Sequence, residues 1–294
     1  MDDKKTGIRQ NLTNYGDLGF STFLRKSFIK GLGYSDEMLD KPIVGIINTF
    51  SNYNSCHGNV PDLIQSLRAG VLAKGAIPLE FPTISVHEAF TYPTSMYLRN
   101  LMAMDTEEMI RAQPMDSCVL IGGCDKTVPA QLMGALSVDM PIVQLVTGPM
   151  LTGSHRGERV GACTDCRRLW AKFRAEEIDQ VEIAEANNQL VPTVGTCGVM
   201  GTASTMAMIA ETLGLMPPDS SCAPAVSSER RRIAEYTGEI AVEIATLKRR
   251  PSSILSAKSF ENALIVLLAI GGSTNGLVHL TAIAGRVGIQ LDMD

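Results

Sequence analysis

The sequence has few aromatic side chains, 5% of 294 residues with Trp170 the only tryptophan. It also lacks a long apolar run: the longest aliphatic stretch, 263–270, is far short of the roughly 20 residues a bilayer span needs. No membrane role is expected. Basic clusters are equally scarce, since beyond Arg230-Arg231-Arg232 there is no run of Lys or Arg. With 26 basic against 31 acidic residues the net charge is −5, which argues against nucleic acid as a partner, and the three arginines read as a solvated helix face. The opening Met1-Asp2-Asp3-Lys4-Lys5 is polar, so no secretory leader is expected and the localisation reads as cytoplasmic. Seven cysteines in a reducing compartment, an odd number, then read as free thiols, metal ligands or catalytic groups and not as disulfides.

What is present is a globular composition, 45% hydrophobic and 19% charged, ample for a large core. Several segments share one pattern: a β-branched apolar run, a Gly-rich or polar loop, then an apolar-periodic stretch. Residues 42–47, 79–84, 117–121 and 141–146 read as strands and 190–194 as a weaker one. Helices are predicted over 60–74, 202–213, 233–247, 259–270 and 276–285, and another opens near Thr127, a plausible cap, with Pro129 in its first turn. Alternating strands and helices predict an α/β fold, a mostly parallel sheet with helices on both faces. We expect one domain over 1–294 with a long loop near 216–228.

In such sheets ligands bind beyond the carboxyl ends of the strands. Cys56, Cys124 and Cys197 each fall in a loop between a predicted strand and a predicted helix, with glycine nearby. A parallel sheet would gather these loops at one edge, where glycine permits close backbone approach and helix N-termini favour anions, an arrangement suited to a thiolate-bound iron–sulfur cluster. Three thiolates would leave one iron site open for substrate. The bland alternative, that cysteines are small buried residues, is adopted for Cys118, inside a strand. Cys163 and Cys166 form a C-x-x-C without a second such motif for zinc, and we expect them to be structural or on the surface.

Carboxylates accompany the cysteines. Glu88 and Asp125 are oxygen donors suited to magnesium. Lys126, beside Asp125, could be an ion pair, an anion clamp or a site of modification. His57 and His87 are adjacent to proposed ligands, whereas His155 and His279 read as ordinary residues. Gly271-Gly272-Ser273-Thr274-Asn275 between two helical stretches could present N–H groups to an anion, or merely connect the helices.

The sequence resembles the family of dihydroxy-acid and sugar-acid dehydratases. The matching stretches are Gly45-Ile46-Ile47-Asn48-Thr49 leading to Cys56, Gly122-Gly123-Cys124-Asp125-Lys126-Thr127, Gly148-Pro149-Met150, Gly195-Thr196-Cys197 with Met200-Gly201-Thr202-Ala203-Ser204-Thr205-Met206, and Ala269 through Asn275. The resemblance implies that Cys56, Cys124 and Cys197 hold an iron–sulfur cluster, two-iron or four-iron, and that Glu88, Asp125 and a carbamylated Lys126 hold Mg2+. It implies a hydro-lyase acting on a 2,3-dihydroxy acid to give a 2-keto-3-deoxy acid, iron at the departing 3-hydroxyl and magnesium at the carboxylate and 2-hydroxyl. His57, Thr127, Ser273, Thr274 and Asn275 are then expected to meet substrate. The partner is a small hydroxy acid, with an aldonate expected before 2,3-dihydroxy-isovalerate, and the assembly a homodimer or homotetramer.

Members of that family are about twice this length, and their second domain carries a further carboxylate ligand and the serine base. The chain is therefore read as the N-terminal domain portion of such an enzyme, truncated, and as inactive and a poor cluster binder by itself. Two other classes compete. An electron carrier would need a fourth thiolate from Cys163, Cys166 or Cys222, and a binding module would leave the Gly-flanked cysteines without a role.

Overall fold

The computed structural model describes residues 6–10, 12 and 14–291; the readings made on 1–5 and 292–294 lie outside the described residues. In chain order the principal elements are α1 (Leu18–Lys30), α2 (Asp36–Leu39), β1 (Ile43–Asn48), α3 (Val60–Ala73), β2 (Ile77–Pro82) and α4 (Arg99–Ala112). Then come β3 (Ser117–Gly122), α5 (Thr127–Val138), β4 (Ile142–Val146), β5 (Gly153–His155), β6 (Glu158–Val160), α6 (Asp165–Arg174) and α7 (Gln180–Leu190). The chain continues through α8 (Thr202–Thr212), α9 (Ser228–Leu247), α10 (Ala257–Ala269) and α11 (Thr274–Arg286).

The central sheet has four strands in the order β2-β1-β3-β4. Every pairing is parallel, with Ile47 registered against both Phe81 and Leu120. Strands buried on both faces require continuous apolar runs, which is why β1 and β3 read Ile-Val-Gly-Ile-Ile and Cys-Val-Leu-Ile. From β1 the chain steps one way to β2, and from β3 the other way to β4. Right-handed crossovers then put α3 and α5 on opposite faces and leave a crevice between the carboxyl ends of β1 and β3. Val44, Ile46, Val119 and Ile121 accordingly pack under α3 and α9, while Ile43, Ile47, Cys118 and Leu120 pack under α4 and α5. Cys118 is fully buried there, as expected of a packing residue, and burial pushes its thiol pKa up.

Three expectations are corrected. Residues 190–194 are not a strand: Leu190 closes α7 with its side chain in a small separate core, and Pro192 has no N–H for a ladder. Strand-like pairing appears instead as a parallel bridge between Thr196 and Pro149. Thr127 does not cap α5 but is its first residue; Lys126 occupies the cap without a side-chain capping bond to the helix, and Pro129 sits in the first turn as expected. Arg230 is not on a solvated face. It is fully buried and donates to Val146 O at 3.1 Å and to Ala223 O at 2.5 Å, and burial lowers its pKa to about 10. The loop expected near 216–228 is present between α8 and α9. Among the described residues no helix is long and apolar enough to cross a membrane.

Candidate functional site

The three Gly-flanked cysteine loops meet at the carboxyl edge of the sheet. The loop after β1 folds into one short helical turn, Ser55–His57, with the Asn54 side chain accepting from the Cys56 N–H at 3.2 Å. The Gly195 N–H donates to Ser55 O at 3.0 Å, tying the Cys197 loop to the Cys56 loop. Gly195 has φ +120° and no room for a side chain, since a Cβ would lie 2.7 Å from Met150 N. The Cys124 loop is held from below: His57 Nε2 accepts from the N–H groups of Gly123 at 3.0 Å and Cys124 at 3.1 Å.

Because Nε2 accepts twice, the His57 proton is on Nδ1, which lies 2.9 Å from Thr49 O and 3.0 Å from Ser85 Oγ. Burial lowers the pKa of this ring to about 4, so it stays neutral. The fully enclosed ring spends both nitrogens on protein. The substrate contact expected for His57 is therefore replaced by a positioning role under Cys124.

The thiols themselves converge. Cys56, deeply buried, has its pKa pushed up by hydrogen bonding with Cys124 and Cys197, then by burial. Cys197 is lowered to about 3, chiefly by hydrogen bonding from Cys163 and then Cys56. Cys163 is on the surface as expected, and its Sγ also lies 3.6 Å from Cys197 Sγ, at the rim of the thiol group. Its C-x-x-C partner Cys166 packs against the small core of α6 and α7 instead.

Beside the thiols, Lys126 Nζ donates to Asp125 Oδ2 at 2.6 Å and to Glu88 Oε2 at 3.3 Å. Burial opposes the charge on Lys126, but the hydrogen bond and field of Asp125 and the field of Glu88 outweigh it and raise the pKa. Glu88 is drawn down to about 2: burial acts upward, but the Ser95 hydroxyl and N–H, Thr94 and Lys126 together prevail. Ser95, buried beyond the strand that precedes Glu88, was not foreseen, because nothing in Tyr92-Pro93-Thr94-Ser95 marks a carboxylate partner.

The remaining expected residues divide. Thr127 is buried with its Oγ1 unpartnered. Ser273 caps α11 and meets Thr202 Oγ1, at the head of α8, at 2.9 Å, so two helix N-termini adjoin on the chain leaving Cys197. Thr274 is exposed and Asn275 half-buried in the same turn. His279, an ordinary helix residue by sequence, is fully buried, accepts from Arg99 Nη1 at 3.0 Å, and has no partner at Nε2.

The donor chemistry fits the implied cofactors. Soft thiols from separate loops suit iron–sulfur ligation, and two carboxylates already converge on a cation, here the Lys126 ammonium. Among the described residues no group of three or more His, Cys, Asp or Glu side chains is placed to hold a single metal ion.

A four-stranded parallel sheet flanked by helices on both faces, with thiols and carboxylates gathered at its carboxyl edge, defines an α/β domain. The chain belongs to the dihydroxy-acid/6-phosphogluconate dehydratase family: the family's N-terminal description matches residues 41–294. It is 44% identical over 281 residues to L-arabinonate dehydratase of Rhizobium leguminosarum, covering 95% of this chain and 48% of that protein. To 6-deoxy-6-sulfo-D-gluconate dehydratase of Pseudomonas putida it is 42% identical over 259 residues, 88% of this chain and 45% of that one. To dihydroxy-acid dehydratase of Natronomonas pharaonis it is 35% identical over 274 residues, 92% and 46%. The chain thus spans about half the length of the curated relatives it matches.

Proposed function

We propose that this protein is a hydro-lyase that removes water from a 2,3-dihydroxy acid, an aldonate in the first place, to give a 2-keto-3-deoxy acid. The observation that carries the reading is the convergence of Cys56, Cys124 and Cys197 beside the Glu88–Lys126–Asp125 group. Those cysteines would hold an iron–sulfur cluster, and Glu88, Asp125 and Lys126, carbamylated, would hold Mg2+. When bound, these groups supply Lewis acidity toward the hydroxyl and carboxylate oxygens of the substrate.

The chain's own residues do the positioning. Ser95 and Thr94 orient Glu88 and keep it ionised, and His57 fixes the turn that presents Cys124. Ser273 and the helix N-terminus it caps offer N–H groups to an anionic substrate, with Thr274 and Asn275 in the same turn. Higher identity to the arabinonate enzyme than to the dihydroxy-acid enzyme supports a sugar acid as substrate. Exposed Phe23 and Phe28 on α1 and exposed Tyr53 and Phe90 support a homodimer or homotetramer.

The test is anaerobic reconstitution of the chain with iron and sulfide, reading iron content and absorbance, followed by the shift of the cluster's absorbance on adding arabinonate, xylonate, gluconate or 2,3-dihydroxy-isovalerate with Mg2+; the chain by itself is expected to release no 2-keto acid. Cys56→Ser, Cys124→Ser and Cys197→Ser should each lose the cluster. A cluster that survives all three, or an absorbance shift with dihydroxy-isovalerate alone, overturns the assignment of ligands or of substrate respectively.

A further inference from the structure

Of the seven cysteines, three are accounted for as cluster ligands and Cys118 by packing. Cys163 is not accounted for. It is exposed, and its Sγ lies 3.6 Å from that of Cys197, a residue 34 positions away and the least buried of the three ligand cysteines. Its backbone has φ +75°, a left-handed conformation that costs a residue other than glycine about 1 kcal/mol. The loop is nonetheless held there from both sides. The Ala162 N–H donates to Leu190 O at 3.0 Å, and the Gly161 N–H to Asp165 Oδ2 at 2.8 Å. Cys56 and Cys124 lie deeper, Cys166 is turned toward the α6–α7 core, and Cys222 lies against Ser221.

We propose that Cys163 and Cys197 form a reversible thiol–disulfide site at the rim of the thiol group, which in the cluster-free protein is oxidised by a small disulfide such as glutathione disulfide. Closing the bridge asks the two sulfurs to approach from 3.6 Å to about 2.05 Å. Exposed Cys163, giving up its proton to solvent, attacks glutathione disulfide, forming a mixed disulfide and expelling one glutathione. The Cys197 thiolate then attacks Cys163 Sγ, forming the Cys163–Cys197 bond and expelling the second. Two protein thiols are oxidised, one glutathione disulfide is reduced, and the two glutathiones carry away the two protons. Given the proposed function, on which this consequence rests, the bridge withdraws one cluster ligand until a thiol reductant restores it.

The full chain, freed of iron by anaerobic chelation, is incubated with glutathione disulfide and then mapped by mass spectrometry of non-reduced peptides with thiol counting. We expect two of the seven thiols lost and a peptide pair joined through Cys163 and Cys197. Oxidised wild type should then fail to take up iron and sulfide until treated with dithiothreitol. Cys163→Ser and Cys163→Asn, the latter suited to the left-handed backbone, should keep uptake after the same oxidation. The proposal is overturned if oxidation stops at a glutathione adduct on Cys163 or joins other cysteines. It is also overturned if the unoxidised Cys163 variants have altered iron content or cluster absorbance, which would make Cys163 a ligand. Normal cluster loading by Cys197→Ser would defeat the proposed function while leaving the mapped bridge standing.

Discussion

A Cβ on Gly123 would lie 1.8 Å from Thr147 Oγ1 and 3.0 Å from Thr196 Cγ2, so the Cys124 turn passes between two threonines with no space for a methyl group. Gly123→Ala is expected to cost about 3 kcal/mol in urea unfolding and to reduce iron uptake, because the turn must shift away from His57. His279 sets a pH dependence. Burial, then the Arg99 and Lys126 cations, lower its pKa to about 4 from 6.5, with Arg286 facing Arg99 behind it. The neutral ring therefore stabilises the fold above pH 6.5. As pH falls toward 4 the unfolded chain takes up a proton that the folded chain refuses, and stability drops by up to about 1.4 kcal/mol per pH unit. His57 contributes with the same sign. Unfolding free energies at pH 6.5, 5.5 and 4.5 should show a shallower slope for His279→Gln than for wild type; equal slopes would refute the assignment.

The helices that support the site cross by backbone contact. A Cβ on Gly70 of α3 would lie 2.0 Å from Glu235 O of α9, and one on Gly238 of α9 would lie 2.3 Å from Leu67 O. The other face repeats the device, with Gly134 of α5 against Ala103 O of α4 at 2.4 Å. Gly70→Ala and Gly134→Ala should each cost about 2–4 kcal/mol by forcing a helix off the sheet. Gly285→Ala in α11, where a Cβ meets nothing within 4 Å, should be neutral or stabilise by up to about 1 kcal/mol. Thermal melts of the three variants check the order. Arg230 acts at the same scale: without an acidic partner in its hydrogen bonds, it fastens the end of β4 to the loop before α9. Arg230→Met should cost about 2–4 kcal/mol by leaving the Val146 and Ala223 carbonyls buried and unpaired.

At the scale of the molecule, two large cores sandwich the sheet, while β6, α6 and α7 enclose a small third one of Val160, Leu169, Ile183, Ala186 and Leu190. Fewer buried apolar side chains make this lobe the first to open. Hydrogen exchange should therefore be faster by orders of magnitude in 165–190 than in β1 and β3, and similar protection would contradict the division. The lobe presents Cys163, so its opening also separates that thiol from Cys197.

Much of this was legible from pattern. Doubly buried strands show as unbroken β-branched runs, and Gly-flanked cysteines after β1 and β3 could only lie at the sheet edge, so the α/β class and the meeting of Cys56 and Cys124 follow from local signals, whereas Cys197 follows no strand and joins them through the Thr196–Pro149 bridge. Residues 190–194 misled because a short apolar run belongs equally to a strand or to a helix end, and the core it joined was set by α6. Arg230, His57, Ser95 and Cys163 were decided by tertiary structure alone. Their partners are Val146, Gly123, Glu88 and Cys197, and only Ser95 is fewer than 30 residues from its partner. The sequence by itself determined the four parallel strands and the helices α3, α5 and α8 to α11. Which side chains are enclosed, and which thiol stands beside which, depended on packing between segments whose spacing along the chain carries no periodic signal.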